Sequence, residues 1–350
     1  MKSAPISSLL AAILLAASPL RAEPTNLLQS VEAEIKTVLA KAGPSVVKVH
    51  AHRQIQIGDL PYAPAHRVGT GFFASADGVV LTAGTVIGDA DTCWIEWQDE
   101  KLPARILGRC PRVNLAVIQA QKRDASFPAL PLCGTPDLSV GSLVVALGFP
   151  YDLPLGPVVG FIQGVDIRRG DQIFPTSHIR ANCKLNPGQG GGPLLNARGE
   201  VVGIVVAAHL NDQCYALPIC AAKKVLADIR QTGQPQHPWV GLEVTERERV
   251  VEATATPFSR WQIYVREVMS NTPAARAGFQ NQDQIIRLGT NQVQRLADVL
   301  DQIFLRRAGD RLEFTVLRNG VEHPVSLTVA ARPPPPASGV APRLVPVVSD

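Results

Sequence analysis

Asn186-Pro-Gly-Gln-Gly-Gly-Gly-Pro193 is the stretch of this 350-residue sequence that decides its fold. It follows a polar segment and leads into Leu194, Leu195 and the apolar run 201–206, which predicts a tight loop that feeds a buried strand. Successive glycines let backbone N–H groups converge on one point, as they do in an oxyanion hole. We therefore interpret residues 186–193 as an oxyanion loop.

Short segments with strand character surround this loop, with Gly, Pro and Asp between them. Asp77-Gly78 predicts a hairpin turn between the strands at 69–73 and 79–82. The regular spacing favours an all-β barrel or sandwich over alternating α/β units. Further strands are predicted at 46–57, 93–98, 104–108, 115–119, 143–148 and 158–165, and helices at 26–41 and 221–230.

The first 22 residues have the layout of a signal peptide. Lys2 precedes the apolar run 9–17, and Ser18 to Ala22 ends in a small residue suited to cleavage. The apolar run is too short for a permanent membrane span. Retention as an anchor is the alternative, because Leu20 is large for its place before the cut. The pattern predicts a periplasmic or secreted protein.

Charge and cysteine content exclude several classes of function. The net charge is +4 and no Lys/Arg run occurs, so no nucleic-acid partner is expected. The six cysteines include no CxxC pair and no Cys/His spacing of zinc type. After export, Cys93 and Cys110 are the pair expected to bond, since a turn at Asp99-Glu100 would fold their strands together. Buried free thiols are the alternative.

No cofactor or metal is predicted. The glycines at 188–192 lead into a strand, whereas a phosphate-binding loop needs a following helix and a Lys-Ser/Thr pair. His50 and His52 would share one face of a strand and form half of a metal site, but no third ligand has suitable spacing. Two surface histidines on an edge strand are the preferred interpretation.

The order of the motifs resembles the HtrA (DegP-like) family of trypsin-like serine proteases. The resemblance implies a mainly β fold, with a trypsin-like double β-barrel at 46–231. The matching pieces are Ala42-Gly-Pro-Ser-Val-Val, Gly69-Thr-Gly-Phe, Val80-Leu-Thr-Ala-Gly-Thr-Val-Ile, Asn114-Leu-Ala-Val-Ile, Gly148-Phe-Pro, Gly160-Phe-Ile and Gly199-Glu-Val-Val-Gly-Ile.

The same resemblance indicates a degenerate catalytic triad. Thr85 stands where the family has histidine, Asn114 where it has aspartate, and Gly190 where it has the nucleophilic serine. None of these residues can perform the corresponding step, and losing the nucleophile or the base costs about 10⁶ in turnover. The expected remnant is the oxyanion loop with Gly188, Gln189 and Gly190, and we expect a serine endopeptidase homologue that is not an enzyme.

The C-terminal third resembles the PDZ domain (an α+β fold) that follows the protease in this family. Specific pieces are Pro273-Ala-Ala-Arg-Ala-Gly and Asp283-Gln-Ile-Ile. The resemblance implies that Trp239, Val240, Gly241 and Leu242 form the loop that takes a peptide's terminal carboxylate, with a helix at 296–305 as the far wall of the groove.

The predicted organisation is a signal peptide (1–22), an N-terminal helical segment (23–45), a trypsin-like domain (46–231), a linker (232–238), a PDZ domain (239–331) and a disordered Pro-rich tail (332–350). We expect an exported pseudoprotease that binds C-terminal peptides or unfolded proteins as a scaffold, chaperone-like factor or regulator of an active relative. The family implies a homotrimer. The alternatives are an endopeptidase with relocated residues, such as Cys183 with His178 or Ser177, and a metal- or ligand-binding module.

Overall fold

The computed structural model describes residues 26–57, 60–123, 126–169, 172–209, 213–248 and 261–333. The predicted signal peptide and the predicted tail beyond residue 333 lie outside these ranges. Among the described helices, none has the length and apolar character needed to cross a bilayer.

Helix α1 (Leu27–Ala42) precedes the first barrel, close to its predicted bounds. Its N-cap is Asn26, whose Oδ1 accepts the Leu28 N–H at 3.1 Å. Only the C-terminal half packs on the protein, because Val38 and Ala42 are buried whereas Leu27 is exposed.

The first barrel is closed and antiparallel, with strand order β1-β2-β3-β6-β5-β4. Its interior is lined by alternate residues of β1, including Val47 and Val49, as the two-residue period of a strand requires. The predicted turn is present between β2 and β3, with Gly78 at φ +87°. The elements are β1 (Val46–Ile57), β2 (Leu60–Phe73), β3 (Val79–Ala83), helix α2 (Gly84–Ile87), β4 (Thr92–Trp97), β5 (Glu100–Cys110) and β6 (Leu115–Ala120).

The second barrel is also closed, with strand order β10-β11-β12-β9-β8-β7. The oxyanion loop joins β9 to β10, and the run 201–206 is buried as predicted. Phe72 and Leu81 of the first barrel belong to the same apolar cluster as Leu194 of the second, so the two barrels share a core along their seam. The elements are β7 (Leu143–Gly148), β8 (Gly156–Arg169), β9 (Gln172–Ala181), β10 (Pro193–Leu195), β11 (Val201–His209), β12 (Gln213–Pro218) and helix α3 (Ile219–Thr232).

The C-terminal domain has a sheet of order β14-β15-β16-β18-β19, with β17 paired to β16 and a separate β13-β20 pair. Strand β14 has one described neighbour, β15, so its other edge is open among the described strands. The elements are β13 (Pro238–Trp239), β14 (Leu242–Glu248), β15 (Trp261–Val268), helix α4 (Pro273–Ala277), β16 (Gln284–Leu288), β17 (Asn291–Gln292), helix α5 (Leu296–Phe304), β18 (Arg311–Arg318), β19 (Val321–Thr328) and β20 (Ala330–Ala331).

Helix α5 also fastens the C-terminal domain to the second barrel. The Asp301 carboxylate accepts the Thr176 hydroxyl at 2.7 Å and both the N–H and the hydroxyl of Ser177 at 2.6 Å. Ile167 of β8 is buried in the apolar cluster of the C-terminal domain, and Phe304 of α5 is buried in the cluster of the barrels. Each domain therefore contributes a side chain to the other's core.

The expected Cys93–Cys110 bond is wrong, because the register of the first barrel keeps the two cysteines far apart. The turn after β4 places Cys93 opposite Ala104, six residues before Cys110. Six residues of strand separate the two positions by about 20 Å.

The expectation of two surface histidines on an edge strand is also wrong. Strand β1 pairs with both β2 and β4 in the closed barrel, and His50 is only 4% exposed. Side chains of β2 and β4, His66 and Trp94 among them, pack against it.

Candidate functional site

Two of the three predicted triad positions meet at the end of the first barrel. Thr85 lies in the first turn of α2 and Asn114 directly precedes β6. The Thr85 N–H donates to Asn114 Oδ1 at 2.7 Å, and Asn114 Nδ2 lies 3.4 Å from Thr85 Oγ1. Asn114 adopts the left-handed backbone conformation that asparagine tolerates, with φ +52°. The structure thus brings these two predicted positions into contact.

The amide of Asn114 also bonds across the seam. Its Nδ2 donates to the Val206 carbonyl of β11 at 2.6 Å. A backbone N–H can only donate and a carbonyl can only accept, so Thr85 and Val206 fix the orientation of the Asn114 amide. This position holds a group that donates on one side and accepts on the other, and an ionised carboxylate cannot do both.

The oxyanion loop lies against the first barrel beside these residues. The Gly190 carbonyl accepts the Thr70 N–H at 2.9 Å. A Cβ on Gly191 would lie 2.7 Å from the Ala83 nitrogen, two residues before Thr85, so the loop touches the start of α2. A Cβ on Gly190 would meet nothing within 4 Å. The position that lacks the serine is therefore open space at the seam.

Hydrogen bonds to two carbonyls of the loop fix the orientation of two of its peptide groups. The Pro187 carbonyl accepts the Tyr151 N–H at 2.7 Å, and the Gln189 carbonyl accepts the Gly192 N–H at 3.2 Å. In a trans peptide the following N–H points opposite to the carbonyl, which directs the N–H groups of Gly188 and Gly190 outward. Neither N–H has a hydrogen-bond partner among the described residues.

Thr70 supports the loop and was not singled out from the sequence as a site residue. Its buried hydroxyl donates to the Gly188 carbonyl at 2.7 Å and accepts the Phe149 N–H at 3.1 Å. The side chain of Gln189 turns inward, where its Oε1 accepts the Asn186 N–H at 2.8 Å. The Gly-Thr-Gly motif around Thr70 was the available signal, but its partners lie more than 75 residues away in sequence.

The residues considered as a relocated nucleophile and base are buried. Cys183 is 0% exposed and His178 is 1% exposed. The Ser177 hydroxyl is committed to Asp301 at the domain junction. None of these three groups is presented to solvent for attack on a peptide.

The histidines of β1 belong to a cluster of aromatic rings on the first barrel. His50 Nδ1 lies 3.0 Å from His66 Nε2, and His50 Nε2 lies 3.3 Å from Glu96 Oε1. Trp94 stacks on His50 with ring centroids 4.9 Å apart. In the described part of the chain no three His, Cys, Asp or Glu side chains are placed to hold a metal ion.

The predicted peptide-binding loop forms the entrance to β14. Trp239 is half-buried in the β13-β20 pair, and Val240 is buried, with its carbonyl accepting the Ala274 N–H at 3.0 Å. The Gly241 carbonyl accepts the Met269 N–H at 3.0 Å. Gly241 has φ +80°, and a Cβ there would lie 2.2 Å from Thr272 Cβ. Glycine is therefore needed at this position for the packing of the loop itself.

The open edge of β14 and helix α5 form two walls beyond this loop. Glu246 Oε1 accepts the Leu296 N–H at 2.6 Å and so joins the far end of β14 to the beginning of α5. Leu242 and Val244 alternate with Glu246 along β14 and share its face, where both pack against the domain core. Among the described strands, this surface combines an unpaired edge of β14 with two half-buried apolar side chains, Leu242 and Val244.

Two family models match the chain. The trypsin-like peptidase domain matches residues 69–204, and the PDZ domain matches residues 238–329.

Relatives with named functions are similar over most of the chain. One is named as a periplasmic DegP-like serine endoprotease of Pseudomonas fluorescens, with 30% identity over 275 residues, covering 77% of this chain and 57% of the relative. A second, with the same name in Chlamydia trachomatis, is 30% identical over 271 residues and covers 74% of this chain and 54% of the relative. The chain thus spans about half the length of the curated relatives it matches.

A solved structure shares the fold. The HtrA-type protease AlgW, determined with a decapeptide, gives a TM-score of 0.67 at 23% identity and covers 86% of this chain and 99% of its own. Similarity at this level of identity is evidence of a common arrangement of elements.

Proposed function

The chain belongs to the HtrA family, in which a trypsin-like peptidase domain precedes a PDZ domain, and from that premise we propose that it is a pseudoprotease that binds peptides without hydrolysing them. The observation that carries the proposal is the bonding of Asn114, whose amide donates to the Val206 carbonyl and accepts from Thr85. A working triad needs a carboxylate at this position to orient and stabilise an imidazolium. The hydrogen bonds of Asn114 instead match an amide.

The peptide-binding half of the proposal is supported by the loop before β14. The carbonyls of Val240 and Gly241 are held by N–H groups of the domain, which turns the N–H groups of Gly241 and Leu242 the opposite way. Adjacent backbone N–H groups beside an open strand edge suit a terminal carboxylate, and main-chain pairing with β14 would add the peptide as a strand. The ligand class is a peptide that ends in an apolar residue with a free carboxylate.

Export and partners complete the proposal. The DegP-like relatives are named as periplasmic, and residues 1–22 have the pattern of a signal peptide. We infer an exported protein that binds C-terminal peptides or unfolded proteins, as a scaffold, chaperone-like factor or regulator of an active HtrA relative. A homotrimer is inferred from the family.

The chemical part is tested with a fluorophosphonate probe and unfolded casein. We expect no covalent adduct and no cleavage by the purified chain, because position 190 carries no hydroxyl. An active HtrA protease run in parallel controls the reagents. Casein cleavage that co-purifies with the chain and is lost in a Ser177→Ala or Cys183→Ala variant would establish the alternative, an endopeptidase with relocated residues.

The binding part is tested by calorimetry with peptides that share one sequence and end in either a free acid or an amide. We expect micromolar binding of the free acid, about 8 kcal/mol, and none of the amide. Val244→Thr, nearly isosteric and on the face of β14 that Glu246 shares, should weaken binding, while Thr245→Val on the opposite face of β14 should leave it unchanged. Equal affinity for acid and amide would contradict carboxylate recognition.

A further inference from the structure

Two buried cysteines of the second barrel, Cys183 and Cys214, lie side by side just before the oxyanion loop. Both are 0% exposed and belong to the same apolar cluster. The two thiols interact, and each one shifts the pKa of the other. Neither residue has a part in the peptide-binding surfaces described above.

The β-sheet fixes this contact. In the β12-β9 pair, Cys214 lies opposite Ala181. Cys183 lies two residues beyond Ala181, the last residue of β9, and its side chain is buried in the same apolar cluster as that of Cys214. The pKa of Cys214 also responds to the backbone at Ala181 and at Cys183, in agreement with this register.

The remaining cysteines are arranged differently. Cys93 donates its thiol to the Ala104 carbonyl at 3.3 Å, Cys110 and Cys133 are buried elsewhere, and Cys220 is exposed on α3. Within the described residues, which include all six cysteines, only Cys183 and Cys214 have thiols in mutual contact.

We propose that Cys183 and Cys214 are a disulfide site, oxidised when the chain folds in an oxidising compartment. The oxidant is a disulfide of a thiol–disulfide exchange partner. One partner disulfide and the two cysteine thiols give the Cys183–Cys214 bond and two partner thiols, so that two electrons and two protons pass to the partner. Because both side chains are buried in the folded barrel, exchange takes place before the barrel closes.

The contact also shifts the two pKa values in opposite directions. The interaction with Cys183, together with burial, raises the pKa of Cys214, and the same interaction lowers the pKa of Cys183. The disulfide would join β12 covalently to the segment that enters the oxyanion loop. It would also remove the thiol of Cys183, the one cysteine considered as a substitute nucleophile.

The bond is tested by mass spectrometry on the full chain refolded with reduced and oxidised glutathione. The protein is denatured with N-ethylmaleimide and no reductant, then digested. We expect peptides that contain Cys183 and Cys214 to be cross-linked and lighter by two hydrogens, with maleimide on the other four cysteines. Maleimide on both Cys183 and Cys214, or a bond from either one to a different cysteine, would overturn the proposal.

Thermal unfolding gives a second, independent readout. A bond that closes a loop of about 30 residues should raise Tm by on the order of 10 °C, lost on reduction. Cys183→Ser, Cys214→Ser and the double variant should then lose the response to reductant equally, because each removes the same bond. Cys93→Ser, at a buried cysteine of the other barrel, should keep the full response. A wild-type Tm that is indifferent to reductant would refute the bond.

Discussion

At the scale of single residues, the seam between the barrels combines a supported loop with the three positions that the proposal assigns to a degenerate triad. Thr70 still supports the oxyanion loop through the Gly188 carbonyl. Gly190 leaves an open space, and Asn114 fills its position with an amide bonded on both sides. The proposed loss of hydrolysis rests mainly on this bonding of Asn114.

The first prediction is that Asn114→Asp destabilises the protein. A carboxylate oxygen would replace the donor that now lies 2.6 Å from the Val206 carbonyl, leaving that acceptor unpaired beside a second acceptor. We expect the free energy of unfolding to fall by about 1–3 kcal/mol in urea titrations. Asn281→Asp is the matched control, because Asn281 only accepts, from the Val268 N–H at 3.0 Å. Equal stability of the Asn114 variant and wild type would contradict the assigned amide orientation.

The second prediction concerns pH and His50. Burial lowers the pKa of His50, against the opposing influence of the Glu96 carboxylate, with His66, Asp152 and Lys48 also facing it. The unfolded chain then binds the proton more readily than the native one. The contribution to stability is therefore complete above about pH 6.5 and is lost as the pH falls below it.

His50→Gln should reduce the dependence of the free energy of unfolding on pH below about pH 6.5. Urea titrations between pH 7.5 and 5 measure the slope, to which one histidine contributes at most about 1.4 kcal/mol per pH unit. His323→Gln, on β19 of the PDZ domain, serves as the control. An unchanged slope in the His50 variant would show that His50 is not the group responsible.

Sequence reasoning identified the residues of the seam but not their bonding. Thr85, Asn114 and Gly190 could be placed because the loop and strand motifs around them are specific. The acceptor that orients the Asn114 amide is the backbone carbonyl of Val206. Every residue has such a carbonyl, so the sequence does not reveal this contact. The burial of His50 was missed for a related reason, since closure of the barrel is a property of six strands together.

At the scale of elements, helix α5 contacts both the PDZ domain and the second barrel. One side flanks β14, where Glu246 bonds the Leu296 N–H, and the other is held to β9 by Asp301. The helix was predicted as a wall of the groove within one residue of its observed end. Its attachment to the barrel was not predicted, because the partners of Asp301 lie 124 and 125 residues away in sequence.

The third prediction is that Asp301→Ala loosens the junction between the domains. The change removes three hydrogen bonds to a carboxylate and leaves the Thr176 and Ser177 groups unpaired. Hydrogen bonds to a charged group contribute about 1.5–3 kcal/mol each, although losses within one network do not add. We expect faster limited proteolysis in the linker at 233–237 and faster amide exchange in β9.

Asp298→Ala separates this effect from the stability of the helix. Asp298 caps α5 by accepting the Gln294 and Arg295 N–H groups, each at 2.9 Å, without reaching the barrel. Its loss should fray the helix start and leave linker cleavage close to the wild-type rate. Similar cleavage of both variants would assign the effect to the helix instead of the junction.

At the scale of the whole molecule, the two-barrel framework of a trypsin-like peptidase domain surrounds open space at position 190. The fourth prediction uses this directly. Gly190→Ser alone should fold with unchanged Tm, because its Cβ would meet no atom within 4 Å, and should remain inactive. The triple variant with Thr85→His and Asn114→Asp should react with a fluorophosphonate at residue 190.

The triple variant without the serine, carrying Gly190→Ala instead, is the matched control. A probe adduct in that control would place the reaction elsewhere. A Gly190→Ser variant that fails to fold would show that the position is not open space. The fold class itself was accessible from sequence because ordered motifs span both barrels and the PDZ domain.

The burial of Ile167 among the residues of the PDZ domain has a practical consequence for anyone who isolates that domain. Cutting the chain near residue 238 would remove Ile167 and leave the apolar surface around it facing water, while Phe304 would lose its place in the barrel core. The excised domain would then expose two apolar patches and tend to self-associate. A polar residue at position 304 would reduce the exposed apolar surface of such a fragment.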